Sequence, residues 1–131
     1  MRRVVIESPY SGDVAANVAY ARACVRDSLR RGEAPIASHL LYTQDGILRD
    51  SIPEERSLGM RAGWEWYGCA DAIVFYLDRG WSGGMLRGLE IAAEQLQRDL
   101  LAPRLVYRSL RRVGGGDTTA EPAGTAAPRR L

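Results

Sequence analysis

The side chains able to do chemistry in this chain lie in three short polar segments and on one helix. The first, "SPYSGD", runs from Ser8 to Asp13, between an apolar run and a helical pattern. A helix N-terminus offers unpaired N–H groups and the positive end of a dipole. Ser8, Ser11 and Gly12 can therefore let a phosphate or sugar approach; the competing reading is a plain turn capped by Asp13. Tyr10 stands where its hydroxyl can reach a ligand, or where its ring simply packs. The second segment, "SHLLYTQ", carries His39, either a structural hydrogen-bonding residue or a base. The third, "DRGWSGGM", carries Asp78, whose carboxylate can accept from ribose hydroxyls. Its Ser82, Gly83 and Gly84 offer a hydroxyl and several N–H groups to an anion, with no bulky side chain in the approach path. On the helix that follows, Glu90 is a candidate nucleophile at an anomeric carbon. Its competing reading is a solvated helix glutamate like Glu94.

Composition removes several other chemistries. All 18 basic residues are arginine, which excludes a Schiff-base lysine and the lysine of a P-loop. A single histidine excludes a His-rich metal site. Cys24 and Cys69 lack CxxC spacing and sit in apolar stretches, so both are expected to be buried, inert thiols. No GxSxG elbow is present, which disfavours a serine hydrolase. The formal net charge of +2, with acids interspersed, is no nucleic-acid footprint. No apolar run approaches the ~20 residues of a membrane helix. "MRRVVIESPY" reads as a first strand rather than a signal peptide, so a cytoplasmic location is expected.

The elements that must position these residues follow from hydrophobic pattern. "RRVVIES" reads as a buried strand ending at Pro9. Asp13 then caps a helix with apolar positions Val14, Val18, Ala21, Val25 and Leu29, stopped by Gly32. "APIASHLLY" is a second short apolar run. Ser51, Pro53, Glu54 and Glu55 mark a helix start, with Ser51 as cap and Met60, Gly63, Trp64 and Tyr67 on one face. "ADAIVFYLD" is the clearest strand and suits the centre of a parallel sheet. A helix to about residue 99 follows, with Met85, Leu89, Ala92, Ala93 and Leu96 inward, and "PRLVYRSL" is a last strand. The order β-α-β-α-β-α-β implies an α/β domain with a parallel sheet and right-handed crossovers over residues 1–112. The composition of residues 113–131 is that of a disordered tail. Ligands in such sheets sit at the carboxyl ends of strands, where all three polar segments should converge.

Taken together, "ESPYSGD" with "NVAYA", "APIASHLLYTQ", "PEERSLGMRAGWEWYGCADAIVFYLD" and "GWSGGM" resemble the nucleoside 2-deoxyribosyltransferase-like superfamily over residues 3–110. That family includes nucleotide N-glycosidases, and the resemblance is closest to its short relatives. It implies a Rossmann- or flavodoxin-like fold, a homo-oligomer, a nucleoside or nucleotide substrate, and no metal or organic cofactor. It further implies that Tyr10 is the first-turn tyrosine and Asp71 the aspartate before the central strand. Ser82 to Glu90 would be the glycine-rich turn and its glutamate, which attacks C1′ and releases the base. Met85, the last residue of "GWSGGM", joins Ser11, Gly12, His39, Asp78, Ser82, Gly83 and Gly84 as a substrate-binding position. One departure stands out: the family's glutamate falls at the position of Gly88, and Glu90 lies two residues later, about 200° round a helix axis.

Three readings follow. The first is cleavage of an N-glycosidic bond through Glu90, assisted by Asp71 and Tyr10. The second is a nucleotide-binding protein without catalysis. The third is an interaction scaffold presenting Trp64, Trp66 and Trp81.

Overall fold

A computed structural model describes residues 1–110 and 117–118. Strands β1 (Arg3–Glu7), β2 (Ala34–Ile36), β3 (Ala72–Tyr76) and β4 (Arg104–Arg108) form a parallel sheet in the order β2-β1-β3-β4. A two-residue strand, β5 (Asp117–Thr118), pairs antiparallel with β4. The helices are α1 (Val14–Arg30), α2 (Ser38–Leu41), α3 (Pro53–Glu65) and α4 (Gly83–Arg98), with a 3-10 turn over Trp66–Cys69. The α/β class with a parallel sheet is as the sequence pattern implied. The expectation of a disordered tail falls on residues 113–131, which lie outside the described residues apart from the β5 pair.

The sheet is buried on both faces, which is why β3 reads as an unbroken apolar run. Its alternate side chains feed two cores. Ala72, Val74 and Tyr76 join Val4, Ile6 and Val106 under Tyr20 and Cys24 of α1. Ile73 and Phe75 join Val5 and Tyr107 under Tyr67, Met85 and Ala92 from the 3-10 turn and α4.

Helix α1 begins where expected: Asp13 Oδ1 accepts from the Ala16 N–H at 3.2 Å. Its buried stripe is different from the apolar one read off the sequence. Asn17, Tyr20, Ala21, Cys24, Asp27 and Ser28 face inward, while Val14 and Leu29 are exposed. The inward polar groups are paid for by hydrogen bonds rather than by burial alone. Tyr76 OH donates to Asp27 Oδ2 at 2.7 Å, and Arg31 Nε does so at 2.8 Å. Ser28 Oγ donates to Glu33 at 2.7 Å. Arg108, fully buried, grips the same Glu33 carboxylate through two bonds of 2.8 and 3.0 Å. An apolar-only count therefore misplaces the helix face by about one residue.

Three smaller expectations are corrected. "SHLLY" continues as helix α2 rather than as strand, because β2 ends at Ile36. Ile52, not Ser51, is the N-cap of α3, with Pro53 opening the helix; no side chain caps it. Cys69 is exposed at the end of the 3-10 turn, while Cys24 is buried as expected.

Candidate functional site

The carboxyl ends of β1 and β2 and the turn after β3 open into one cleft, with a cavity volume of about 110 Å³. It lies at the switch point of the sheet, where β2 and β3 flank β1 on opposite sides. The turn after β1 contributes Tyr10 and Ser11, α2 contributes His39, Tyr42 follows at its C-cap, and α3 contributes Arg56 and Trp64. Ser82, Gly84 and Met85 close it at the start of α4, where Ser82 Oγ accepts from the Met85 N–H at 3.1 Å.

Tyr10, Ser11, His39, Ser82, Gly84 and Met85, all expected at the site, thus line one cleft. Ser11 Oγ accepts from Arg56 Nη1 at 2.6 Å, and Arg56 also meets Asp50 Oδ2 at 2.8 Å. His39 Nε2 lies 2.7 Å from Ser8 Oγ. Its Nδ1 is buried without a hydrogen-bond partner among the described residues. Burial pushes this imidazole down to about 4, so the ring is neutral at physiological pH. Gly12 and Gly83 flank the cleft without lining it.

Three expected residues lie elsewhere. Asp71 precedes β3 and so sits at the amino edge of the sheet, opposite the cleft. Its Oδ2 accepts the Arg3 backbone N–H at 2.7 Å, a bond that holds its carboxyl below the usual value. Asp78 joins the end of β3 to its neighbours: its Oδ2 accepts from Tyr20 OH at 2.6 Å and from the Leu110 N–H at 2.9 Å. Both lone-pair directions of that oxygen are thereby used in structure rather than on a sugar. Glu90 does not line the cleft, and its carboxylate lies 3.4 Å from Arg87 Nη1 on the helix exterior. The buried positions of α4 are Met85, Gly88 and Ala92, and Glu90 is two residues out of that register.

The group that sequence reasoning missed is Glu7. It ends β1, and its side chain lines the cleft. Tyr67 OH donates to its Oε2 at 2.5 Å. Burial raises this carboxyl to about 7, outweighing the lowering effect of the tyrosine bond. A signal was available: an acid closing an apolar parallel strand sits at the edge where ligands bind.

Gly88 explains how Glu7 fits. A Cβ at residue 88 would stand 2.6 Å from Tyr67 Oη and 2.8 Å from Glu7 Oε2. Tyr67 is 1% exposed and has nowhere to retreat. Gly88→Ala should therefore lower stability in urea titration by ~1–2 kcal/mol, as overpacking outweighs the helix-propensity gain of about 1 kcal/mol. A gain in stability would show that the contact is loose.

The three tryptophans have separate tasks. Trp81 packs 5.3 Å from Phe75 and 6.0 Å from Tyr107, measured between ring centroids. Trp64 lines the cleft and carries the Arg87 guanidinium 5.6 Å from its ring centroid. Trp66 is exposed, and its Nε1 donates to Tyr42 OH at 2.9 Å.

Among the described residues no helix is long and apolar enough to cross a membrane, and no group of His, Cys, Asp and Glu side chains is arranged to hold a metal ion. No curated protein and no protein of solved structure matches the chain. The sequence model of one family, described as a domain of unknown function (DUF7768), matches residues 2–99, so the chain, with this cleft at its sheet edge, belongs to that family.

Proposed function

We propose that the cleft binds a nucleoside or nucleoside 5′-monophosphate and cleaves its N-glycosidic bond, with water or a second base as acceptor. The observation that carries this reading is the meeting, in one cleft, of aromatic side chains with a half-buried carboxyl. Tyr10, Tyr42 and Trp64 offer faces for a base, and Glu7 lies beside them. The start of α4 and Arg56 supply donors suited to a phosphate or sugar hydroxyl. The resemblance to nucleoside 2-deoxyribosyltransferase-like proteins supports the same substrate class and a homo-oligomer.

The test is incubation with the ribo- and deoxyribonucleosides and their 5′-monophosphates, followed by chromatography for free base. Release from at least one member is expected. No release from any member would overturn the reading. A second reading, binding without turnover, is favoured by the position of Glu90 outside the cleft. Calorimetry on the same panel separates the two, since tight binding without free base supports only the second.

A further inference from the structure

Glu7 opens the quoted motif "ESPYSGD", and the family resemblance gives it no role. It is set at the end of a buried strand, where an uncharged residue would cost less. Among the described residues Tyr67 is its one hydrogen-bond partner, through Oε2. Glu7 is among the residues that line the cleft, and among the described residues no hydrogen bond to its Oε1 is seen. The space it occupies exists because residue 88 has no side chain, and alanine there would collide with both Glu7 and Tyr67. Helix α4 thus gives up a side chain, and β1 delivers a carboxyl to the same place.

We propose that Glu7 is the catalytic acid of this cleft, positioned by Tyr67. This rests on the N-glycosidic reading above. As the C1′–N bond breaks, its electron pair goes to the base nitrogen, which takes the proton from Glu7 Oε1. Water forms the new bond to C1′ and sheds its proton to solvent, and the Glu7 carboxylate regains a proton from solvent. A carboxyl raised to about 7 is still half protonated at neutral pH, which suits this role. The other ionisable groups around the cleft are Tyr10, His39, Tyr42, Asp50, Glu55 and Arg56. Of these, His39 is held neutral by burial and does not compete as the acid at pH 7.

The experiment uses the full chain and whichever nucleoside or nucleotide of the panel yields free base. Glu7→Gln keeps the shape and an acceptor for Tyr67 but has no proton to give. It is expected to lower kcat by about 100-fold or more, within the usual contribution of general acid catalysis, while calorimetric affinity changes less than threefold. Wild-type kcat should fall as pH rises through about 7. Tyr67→Phe removes the bond that lowers the Glu7 pKa, so this alkaline fall should move to higher pH. A structural role alone would not move it. If wild type releases base while Glu7→Gln keeps kcat within threefold, or if Tyr67→Phe leaves the alkaline limb in place, the assignment of Glu7 is overturned and the glycosidic reading stands. If wild type releases no base, both fall.

Discussion

Glu33→Ala is expected to lower the unfolding free energy by about 3–5 kcal/mol, the usual cost of breaking a buried ion pair from one side. The reason is what it leaves behind. The Arg108 side chain is completely buried, and both Glu33 oxygens hold its guanidinium. Arg2 and Ser28 donate to the same carboxylate. Burial by itself would raise this carboxyl, but the bonds from Arg108, Arg2 and Ser28 outweigh it and bring it down to about 2. Removing Glu33 takes from this buried guanidinium the carboxylate that both of its terminal nitrogens hold. Domains of this size have about 5–15 kcal/mol in total, so the variant should sit near the edge of folding. Urea titration measures the loss. The double variant Glu33→Ala with Arg108→Met should recover part of it, because the buried guanidinium that Glu33 compensates is then removed with it. A single-variant loss below ~1 kcal/mol, the size of a surface pair, would show that the pair is solvated. The pH dependence has a definite sign. The folded pKa lies below the ordinary 4.5, so this stabilisation is present above pH 4.5 and is lost as pH falls towards 2.

Glu7→Gln should act in the opposite sense, and here a substitution in the site raises stability. The folded pKa of Glu7 is raised from 4.5 to about 7. Below pH 4.5 the carboxyl is protonated in both folded and unfolded chains and costs nothing extra. As pH rises through about 7 the unfolded chain ionises more readily, and stability is lost. A shift of this size corresponds to ~3 kcal/mol at most. Glutamine is neutral at every pH and can still accept from Tyr67. The variant should match wild type near pH 4 and exceed it by roughly 1–3 kcal/mol at pH 8. The comparison must be made as a difference between the two proteins. His39, lowered from 6.5 to about 4, contributes stability present above pH 6.5 and lost as pH falls through about 4. That partly cancels the Glu7 trend in wild type and is common to both chains. A difference that does not change between pH 4 and pH 8 would show that Glu7 is not desolvated. The expected gain at pH 8, together with a loss of kcat, gives the pattern of a functional carboxyl kept at the expense of stability.

The sequence by itself determined the layered fold. The run "ADAIVFYLD" had to be a central strand because only burial on both faces suits five consecutive apolar side chains. Asp13 and Gly32 had to bound the first helix, since an acceptor side chain at one end and a positive φ at the other are local requirements. With the element order known, convergence of three turns at the carboxyl edge followed. Tyr10, Ser11, His39, Ser82, Gly84 and Met85 do meet there.

Only the tertiary structure decided which carboxyls share that cleft. Asp78 and Asp71 are both polar residues beside the same strand, and a linear reading cannot see that each is engaged elsewhere. One is bonded to Tyr20 and Leu110, the other to the Arg3 backbone. Glu90 looked plausible by proximity to the glycine-rich turn, but the register of α4 leaves it outside the cleft, paired with Arg87 on the same helix. Glu7 was hidden inside a strand motif, and Gly88 looked like a missing nucleophile. Their relation is a contact between β1, the 3-10 turn and α4, across more than 80 residues of chain. Hydrophobic period and capping are set by neighbours a few residues apart, so they are legible in one dimension. The burial of a charge and the room left by an absent side chain depend on what other segments bring to the same point, and these exist only once the chain has folded.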